Sequence, residues 1–265
     1  MVKQITFSGR NEGCKIPREI LVFPSSAYNR SNANRKGIPV AVDYRIISIG
    51  TLANHLLWGE AAPVRPQHAT TTLIEDEGRR ILVDPSLPAQ VLEARFFERT
   101  GKKLDSVTDV FCTTLRPDAR RALPALRHAR WWCGEAELEW YSRELLAMGE
   151  SAERLGSDDA AGVEEDLALT KRFSPAPEKF TEQVSIYPLF GATVGCTGLL
   201  LTPATTTIAI AGPAAPTREH VEKGMVWSHC ADKDQAMESL TDLLELADAI
   251  VPGFDNIFLS PRRWM

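Results

Sequence analysis

The sequence has few of the features that mark secreted or membrane proteins. Its five cysteines are scattered over 265 residues and never form a C-x-x-C pair, which argues against a disulfide framework and against a zinc-ribbon site. No stretch approaches the roughly 18 apolar residues of a membrane span. Residues 1–10 also lack the apolar core of a secretory signal. We therefore expect a cytoplasmic protein without a membrane partner.

Common catalytic signatures and an overall positive charge are missing as well. There is no G-x-S-x-G elbow, no G-x-x-x-x-G-K-[ST] phosphate loop and no H-E-x-x-H helix. A net charge of −5 and a pI near 5.6 give no overall attraction to phosphate backbones. Nucleic acid is therefore not an expected partner, although residues 1–42 carry a local excess of basic side chains.

The composition changes near residue 42. Residues 25–36 are polar, rich in Asn and Ser, and without periodicity, which is typical of a loop or linker. We predict an N-terminal extension over residues 1–42, partly disordered, and a single domain over residues 43–265. A chain of this length can bury one sizeable core.

Hydrophobic patterns predict strands in runs, with helices between some of them. Two β-rich runs, ATTTLIED and RRILVDP, flank Glu77-Gly78 and predict a hairpin. Helical spacing appears over residues 89–99, 135–148, 217–223 and 233–246, and Pro117-Asp118 opens another predicted helix. Residues 149–166 are acidic and rich in small residues, which predicts a solvated loop. This order favours a layered α/β sandwich over a uniform βαβ alternation.

Five segments together resemble the metallo-β-lactamase superfamily. The run HATTTLIEDEGRRILVDPS, with Asp84 after a buried strand, resembles its opening strands. VFCTTLRPDARRAL stands where the family has a T-H-x-H-x-D-H loop, and GATVG where it has G-H-T-x-G. IAIAGPA replaces a strand ending in Gly-Asp, and VPGFDN a strand ending in Pro-Gly-His. The resemblance covers about residues 43–258 and implies an α/β (α+β) domain, a four-layer αββα sandwich.

Within this resemblance, the framework residues match but the metal ligands do not. The matching residues are Asp84, Pro117, Asp118, Gly191, Thr193, Gly195, Gly212, Pro252 and Gly253. Family members bind one or two divalent cations, usually zinc, through imidazoles and carboxylates. The positions that the resemblance assigns to lost ligands are Thr114, Arg116, Ala119, Ala192, Pro213 and Phe254. Asp118 is the only ligand position that is retained.

The missing donors predict a change of function. Without a cation, nothing lowers the pKa of water from ~15.7 towards ~7, so hydroxide is not available at neutral pH. We therefore expect a pseudoenzyme without a cofactor, which binds or scaffolds an unknown small molecule or protein. The alternative is a metal-dependent hydrolase that holds zinc through non-standard ligands and acts on a lactone, thioester or phosphodiester.

The replacements also look mutually compatible. Removal of a dication leaves Asp118 as an uncompensated carboxylate, which is costly in a cleft. We predict that Arg116 supplies the missing charge by a bidentate contact, and that Phe254 fills the space of metal and imidazoles. Two histidines give weaker hypotheses: His68 is expected near the cleft, and His229 stands beside Cys230 without a third ligand at a standard spacing.

Overall fold

A computed structural model describes residues 41–155 and 160–261 of the chain. Residues 1–40 lie outside the described residues, so the extension predicted over residues 1–42 stays a prediction.

The first sheet has six strands in the order β1-β2-β3-β4-β5-β6. The strands β1, β2 and β3 pair antiparallel, whereas β3, β4, β5 and β6 pair parallel. Their bounds are Asp43–Ser48, Thr71–Asp76, Arg79–Val83, Asp109–Cys112, Arg130–Cys133 and Phe173–Pro175. The strand β1 is therefore an edge strand, with β2 as its single partner among the described strands.

The second sheet also has six strands, in the order β12-β11-β10-β9-β8-β7. Only β10 and β11 pair parallel; the other neighbours are antiparallel. The strands span Lys179–Thr181, Val184–Pro188, Thr197–Leu201, Ile208–Gly212, Ala249–Pro252 and Phe258–Leu259, from β7 to β12.

The two sheets pack face to face between two layers of helices. Buried side chains of both sheets, such as Ile81 and Phe111 in the first and Leu199 and Val251 in the second, form the cluster between the sheets. The outer face of the first sheet packs against helices α1 (Ala89–Thr100), α2 (Glu135–Leu155) and α3 (Ala160–Thr170). Helices α4 (Arg218–Glu222) and α5 (Lys233–Leu246) cover the second sheet. The predicted αββα sandwich is confirmed.

The backbone at the predicted hairpin explains its sequence. Glu77 and Gly78 have φ angles of 47° and 81°, and positive φ at both central residues is the geometry of a type I′ turn. This turn matches the twist of the flanking strands, so the register of β2 on β3 follows from the sequence of the turn.

The helix predicted over residues 89–99 is present as α1, although of its apolar residues only Leu92 and Phe96 are buried, whereas Val91 and Phe97 are exposed. Two other local predictions are wrong. Pro117-Asp118 opens a short 3-10 turn rather than an α-helix. Much of the loop predicted over residues 149–166 is helical instead, because this acidic stretch is also rich in Ala and Glu, which are strong helix formers. No helix of the described residues is long and apolar enough to cross a membrane.

Candidate functional site

One end of the sandwich collects the loops that the sequence singles out. Strands β3, β4, β10 and β11 all point their carboxyl ends towards this end, since β3 and β4 are parallel neighbours and so are β10 and β11. The amide of Thr197, at the start of β9, donates to the Thr113 carbonyl (3.1 Å), which ties the two sheets together here. The five segments of the resemblance therefore meet in one loop cluster.

Glycines allow these loops to approach closely. Gly212 has a φ of 54°, and a Cβ built on it would lie 2.3 Å from the Thr113 hydroxyl oxygen. A Cβ on Gly253 would lie 2.7 Å from the backbone carbon of Gly212. Both contacts are shorter than real side chains permit, so the backbone path at these two strand ends requires glycine.

Asp84 anchors the loop that follows β4. Its side chain is buried, and its two carboxylate oxygens accept from the amide (2.8 Å) and the hydroxyl (2.7 Å) of Thr113. Burial raises the pKa of Asp84 from 3.8 to about 7, a rise that the hydrogen bonds from Thr113 oppose and the charge of Asp118 reinforces. Asp84 itself has a φ of 47°, a conformation that Asp tolerates better than most residues. The residue therefore positions the loop that follows β4 through Thr113.

The loop after β4 carries four of the ligand positions that the resemblance assigns, three lost and one retained, and two of the lost ones are buried. Thr114 is 1% exposed and Ala119 is 4% exposed. Thr114 offers only a neutral hydroxyl and Ala119 offers no donor atom. Neither residue supplies an imidazole or carboxylate to this end of the sandwich.

Arg116 and Asp118, the other two ligand positions in the loop after β4, form an ion pair. Arg116 Nε donates to Asp118 Oδ1 at 3.3 Å, and Gln67 donates to the other carboxylate oxygen, Asp118 Oδ2. The expected bidentate contact is therefore wrong in detail, because the Gln67 amide occupies the second oxygen. Both carboxylate oxygens of Asp118 are nonetheless engaged by protein donors.

An aromatic cluster lies directly beside this ion pair. The guanidinium of Arg116 sits over the ring of Trp227, 4.5 Å from its centroid. Trp227 packs against Phe254, with ring centroids 5.4 Å apart, and both are buried together with Leu52. We call Arg116, Trp227, Phe254 and Leu52 the aromatic plug. Phe254 is thus buried, and Trp227 packs against it from a segment in which the resemblance has no motif.

The last two positions, Ala192 and Pro213, lie in the loops of the second sheet. Ala192 is 2% exposed and packs in the cluster under α5. Pro213 follows Gly212 and is also buried. Neither side chain has a donor atom, so the second sheet contributes no metal ligand from these positions.

Sequence reasoning does not identify Glu137, the most heavily hydrogen-bonded acid of this region. It lies in the first turn of α2, is fully buried, and accepts from the Leu115 amide through Oε1 (2.9 Å). Its Oε2 accepts from the Thr193 hydroxyl (2.7 Å) and the Gly195 amide (3.1 Å). Burial raises the pKa of Glu137, and the hydrogen bonds from these three donors oppose the rise. The residue therefore joins the loop after β4 to the loop before β9.

A glutamate at this place in a sequence carries no distinguishing signal. Acidic residues are common in the first turn of a helix because they interact favourably with its positive end, and Glu135 in the same turn is exposed. Only the packing of α2 against both loops separates the two glutamates.

No histidine stands at a ligand position that the resemblance assigns. His68 lies 3.1 Å from the Ile49 carbonyl oxygen through Nε2 and lines a groove beside β1. His220 and His229 border a small cavity of about 20 Å³ next to Trp227, and His229 Nδ1 lies 3.0 Å from the Ser228 hydroxyl. Burial lowers the pKa of His220, which favours its neutral form. His55 is buried and within hydrogen-bond distance of the Thr217 hydroxyl (3.3 Å).

The residues at the strand ends do not fit a zinc centre. A catalytic zinc site uses three protein ligands and one open position, and here the assigned positions supply a single carboxylate that is already bound by Gln67 and Arg116. Across residues 41–155 and 160–261, no group of three His, Cys, Asp or Glu side chains could hold a metal ion.

The architecture defines the class of the domain. Two six-stranded sheets between helical layers, with the functional loops at one end, are the metallo-β-lactamase fold, and solved structures of that superfamily match the chain. No protein-family model matches the sequence, and no curated protein matches it.

Particular structures show the likeness in more detail. A protein assigned to the metallo-β-lactamases from Thermotoga maritima has 18% identity and a TM-score of 0.60, covering 83% of this chain and 100% of its own. The AiiA protein of B. thuringiensis, with N-decanoyl-L-homoserine bound at its active site, has 16% identity and a TM-score of 0.54, covering 78% of this chain and 89% of its own. AidC, a dizinc quorum-quenching lactonase, has 14% identity and a TM-score of 0.53, covering 67% of each chain. At these identities the comparison establishes the fold.

Proposed function

We propose that this chain is a non-catalytic protein of the metallo-β-lactamase fold that acts by binding a small molecule or a protein. The observation that carries this proposal is the hydrogen bonding of Asp118, the single retained ligand position. Its two oxygens accept from Gln67 and Arg116, so the carboxylate already has hydrogen-bond donors and a counter-charge without a cation.

The charge balance supports the same reading. An arginine stays protonated at any physiological pH, so Arg116 gives Asp118 a permanent counter-charge where a metal enzyme would hold a cation. The Asp118 side chain is 13% exposed and that of Arg116 is 38% exposed, which places the pair at the mouth of the loop cluster. The pair needs no metal to be electrostatically satisfied.

The packing also supports the proposal. The plug residues Trp227 and Phe254 are buried, at 4% and 6% exposure, and the adjoining cavity of about 20 Å³ has space for little more than a water molecule. A substrate such as a lactone is far larger.

The test is metal content measured by mass spectrometry on full-length protein purified without chelators. It is paired with a hydrolysis screen of lactone, thioester and phosphodiester substrates with added zinc, manganese or iron. We expect substoichiometric metal and no turnover above that of Asp118→Ala. The exposed Asp105, in the turn after α1, provides the matched control Asp105→Ala.

The alternative, a hydrolase with non-standard ligands, predicts the opposite pattern. Stoichiometric metal, together with turnover that is lost in Asp118→Ala and kept in Asp105→Ala, would overturn the proposal.

A further inference from the structure

A groove runs between the edge strand β1 and helix α1 and extends to His68 and Asn256 in the loops near the strand ends. It encloses about 430 Å³, which falls within the range of about 300–1,000 Å³ that is typical of small-molecule sites. Its apolar side chains come from both elements, and its charged side chains come from α1. The proposed function is argued from Asp118 and the aromatic plug and does not depend on this groove.

The apolar wall of the groove is unusually open to solvent. Ile49, just after β1, is 49% exposed, and Val91 in α1 is 47% exposed. Leu87 and the buried Ile47, which packs in the same cluster as α1, complete this wall. Each square ångström of such surface that a ligand covers contributes about 25 cal/mol, so an alkyl chain lying between the two elements gains favourable contacts on both sides.

The charged part of the groove is positive. Arg95 and Arg99 are four residues apart on α1, so they lie on the same face of the helix, where like charges repel. Arg95 donates to the exposed Glu98 (3.0 Å). The guanidinium of Arg99 has no ion pair or hydrogen bond with any of the described residues, and an anion would bind between the two arginines.

A third arginine adds to this charge. Arg45 in β1 donates through Nη1 to the Arg99 carbonyl (2.5 Å), which places it level with the arginine end of the groove. Asp43 lies 3.9 Å from Arg45 on the exposed side of the strand. Three guanidiniums thus face two carboxylates, those of Asp43 and Glu98, and the local balance is positive.

We propose that the groove between β1 and α1 binds an anionic amphiphile, namely a monocarboxylate with an unbranched alkyl chain. Its carboxylate is held by Arg99 and Arg95, and its chain lies along Val91 and Ile49. The rise of a strand from Ile46 to Ile49 is about 10 Å, and the rise of a helix from Val91 to Arg99 is about 12 Å. A medium-length chain, such as that of decanoate, matches both distances.

The test is isothermal titration of the full chain with decanoate, kept below its micelle concentration, and with decyltrimethylammonium as the cationic counterpart. We expect decanoate to bind with one-to-one stoichiometry and the cation not to bind. Arg99→Gln removes a charge-assisted hydrogen bond and should weaken decanoate about tenfold or more. Arg143→Gln, at an exposed position of α2, is the matched control and should leave the affinity unchanged.

A second variant tests the apolar wall. Val91→Asp places a carboxylate in the first turn of α1, where it is compatible with the helix, and should abolish decanoate binding. Thermal melting confirms that each variant is folded, and Arg95→Gln replaces Arg99→Gln if the latter is not. The proposal is overturned if decanoate does not saturate, if Arg99→Gln binds as tightly as Arg143→Gln, or if the cation binds equally well.

Discussion

Glu137 gives the sharpest test of how the loop cluster is held together. Its carboxylate accepts from the Leu115 amide, the Thr193 hydroxyl and the Gly195 amide, all buried. Glu137→Ala leaves these three donors without their acceptor. Each buried donor left unsatisfied costs about 1–3 kcal/mol, and water that enters the space of the lost side chain keeps the sum towards the lower end. We expect a loss of about 3–5 kcal/mol in the free energy of unfolding.

The assay is urea unfolding followed by tryptophan fluorescence, together with thermal melting. For a domain of this size, about 1 kcal/mol shifts the melting temperature by roughly 2–4 °C, so Glu137→Ala should melt about 8–15 °C lower than the native protein. Glu135→Ala is the matched control, since Glu135 occupies the same helical turn but is exposed. Its loss removes only a favourable interaction with the helix dipole, about 0.3–1 kcal/mol.

The conservative variant separates charge from hydrogen bonding. Glu137→Gln keeps one oxygen acceptor, but its NH2 group faces hydrogen-bond donors in place of the other oxygen. Its free energy of unfolding should therefore lie between those of the alanine variant and the native protein. The reasoning is refuted if Glu137→Ala and Glu135→Ala unfold within about 1 kcal/mol of each other.

Two further predictions concern Asp84 and Trp227. Because the pKa of Asp84 rises from 3.8 to about 7 on folding, its contribution to stability is largest below about pH 4 and is lost as the pH rises through about 7. The free energy of unfolding of the native protein should therefore include about 3 kcal/mol at about pH 5 that is absent at about pH 8, and Asp84→Asn should remove this difference. If the variant keeps the pH profile of the native protein in urea unfolding, the prediction is wrong. Trp227→Ala should cost about 3–5 kcal/mol in urea unfolding, because Trp227 is 4% exposed and fills the plug. Trp58→Ala, at a residue that is 59% exposed, should cost about 1 kcal/mol or less, and equal losses for the two tryptophans would show that the plug does not stabilise the fold.

Much of the fold can be predicted from the sequence because the signals for its strands, turns and helices are local. Glu77-Gly78 between two β-rich runs predicts the hairpin, and the structure shows both residues with positive φ. The apolar run TGLLL is typical of a buried strand, and the structure has β9 there. The periodicity of residues 233–246 gives the bounds of α5 as the structure has them. Local signals fail where composition supports two readings, as in residues 149–166, where acidic and small residues suit a loop and a helix equally.

The sequence by itself also determines which donor atoms are absent. The side chains of alanine, proline and phenylalanine at positions 192, 213 and 254 have no donor atom for a cation in any tertiary arrangement, so this conclusion needs no coordinates. What the structure decides is which other residues meet in the loop cluster. Trp227 and Glu137 reach the loop cluster from segments far along the chain, and no spacing in the sequence signals such long-range contacts. They form only when the two sheets and their helices pack together, because burial and hydrogen-bond partners depend on tertiary packing and not on the order of residues along the chain.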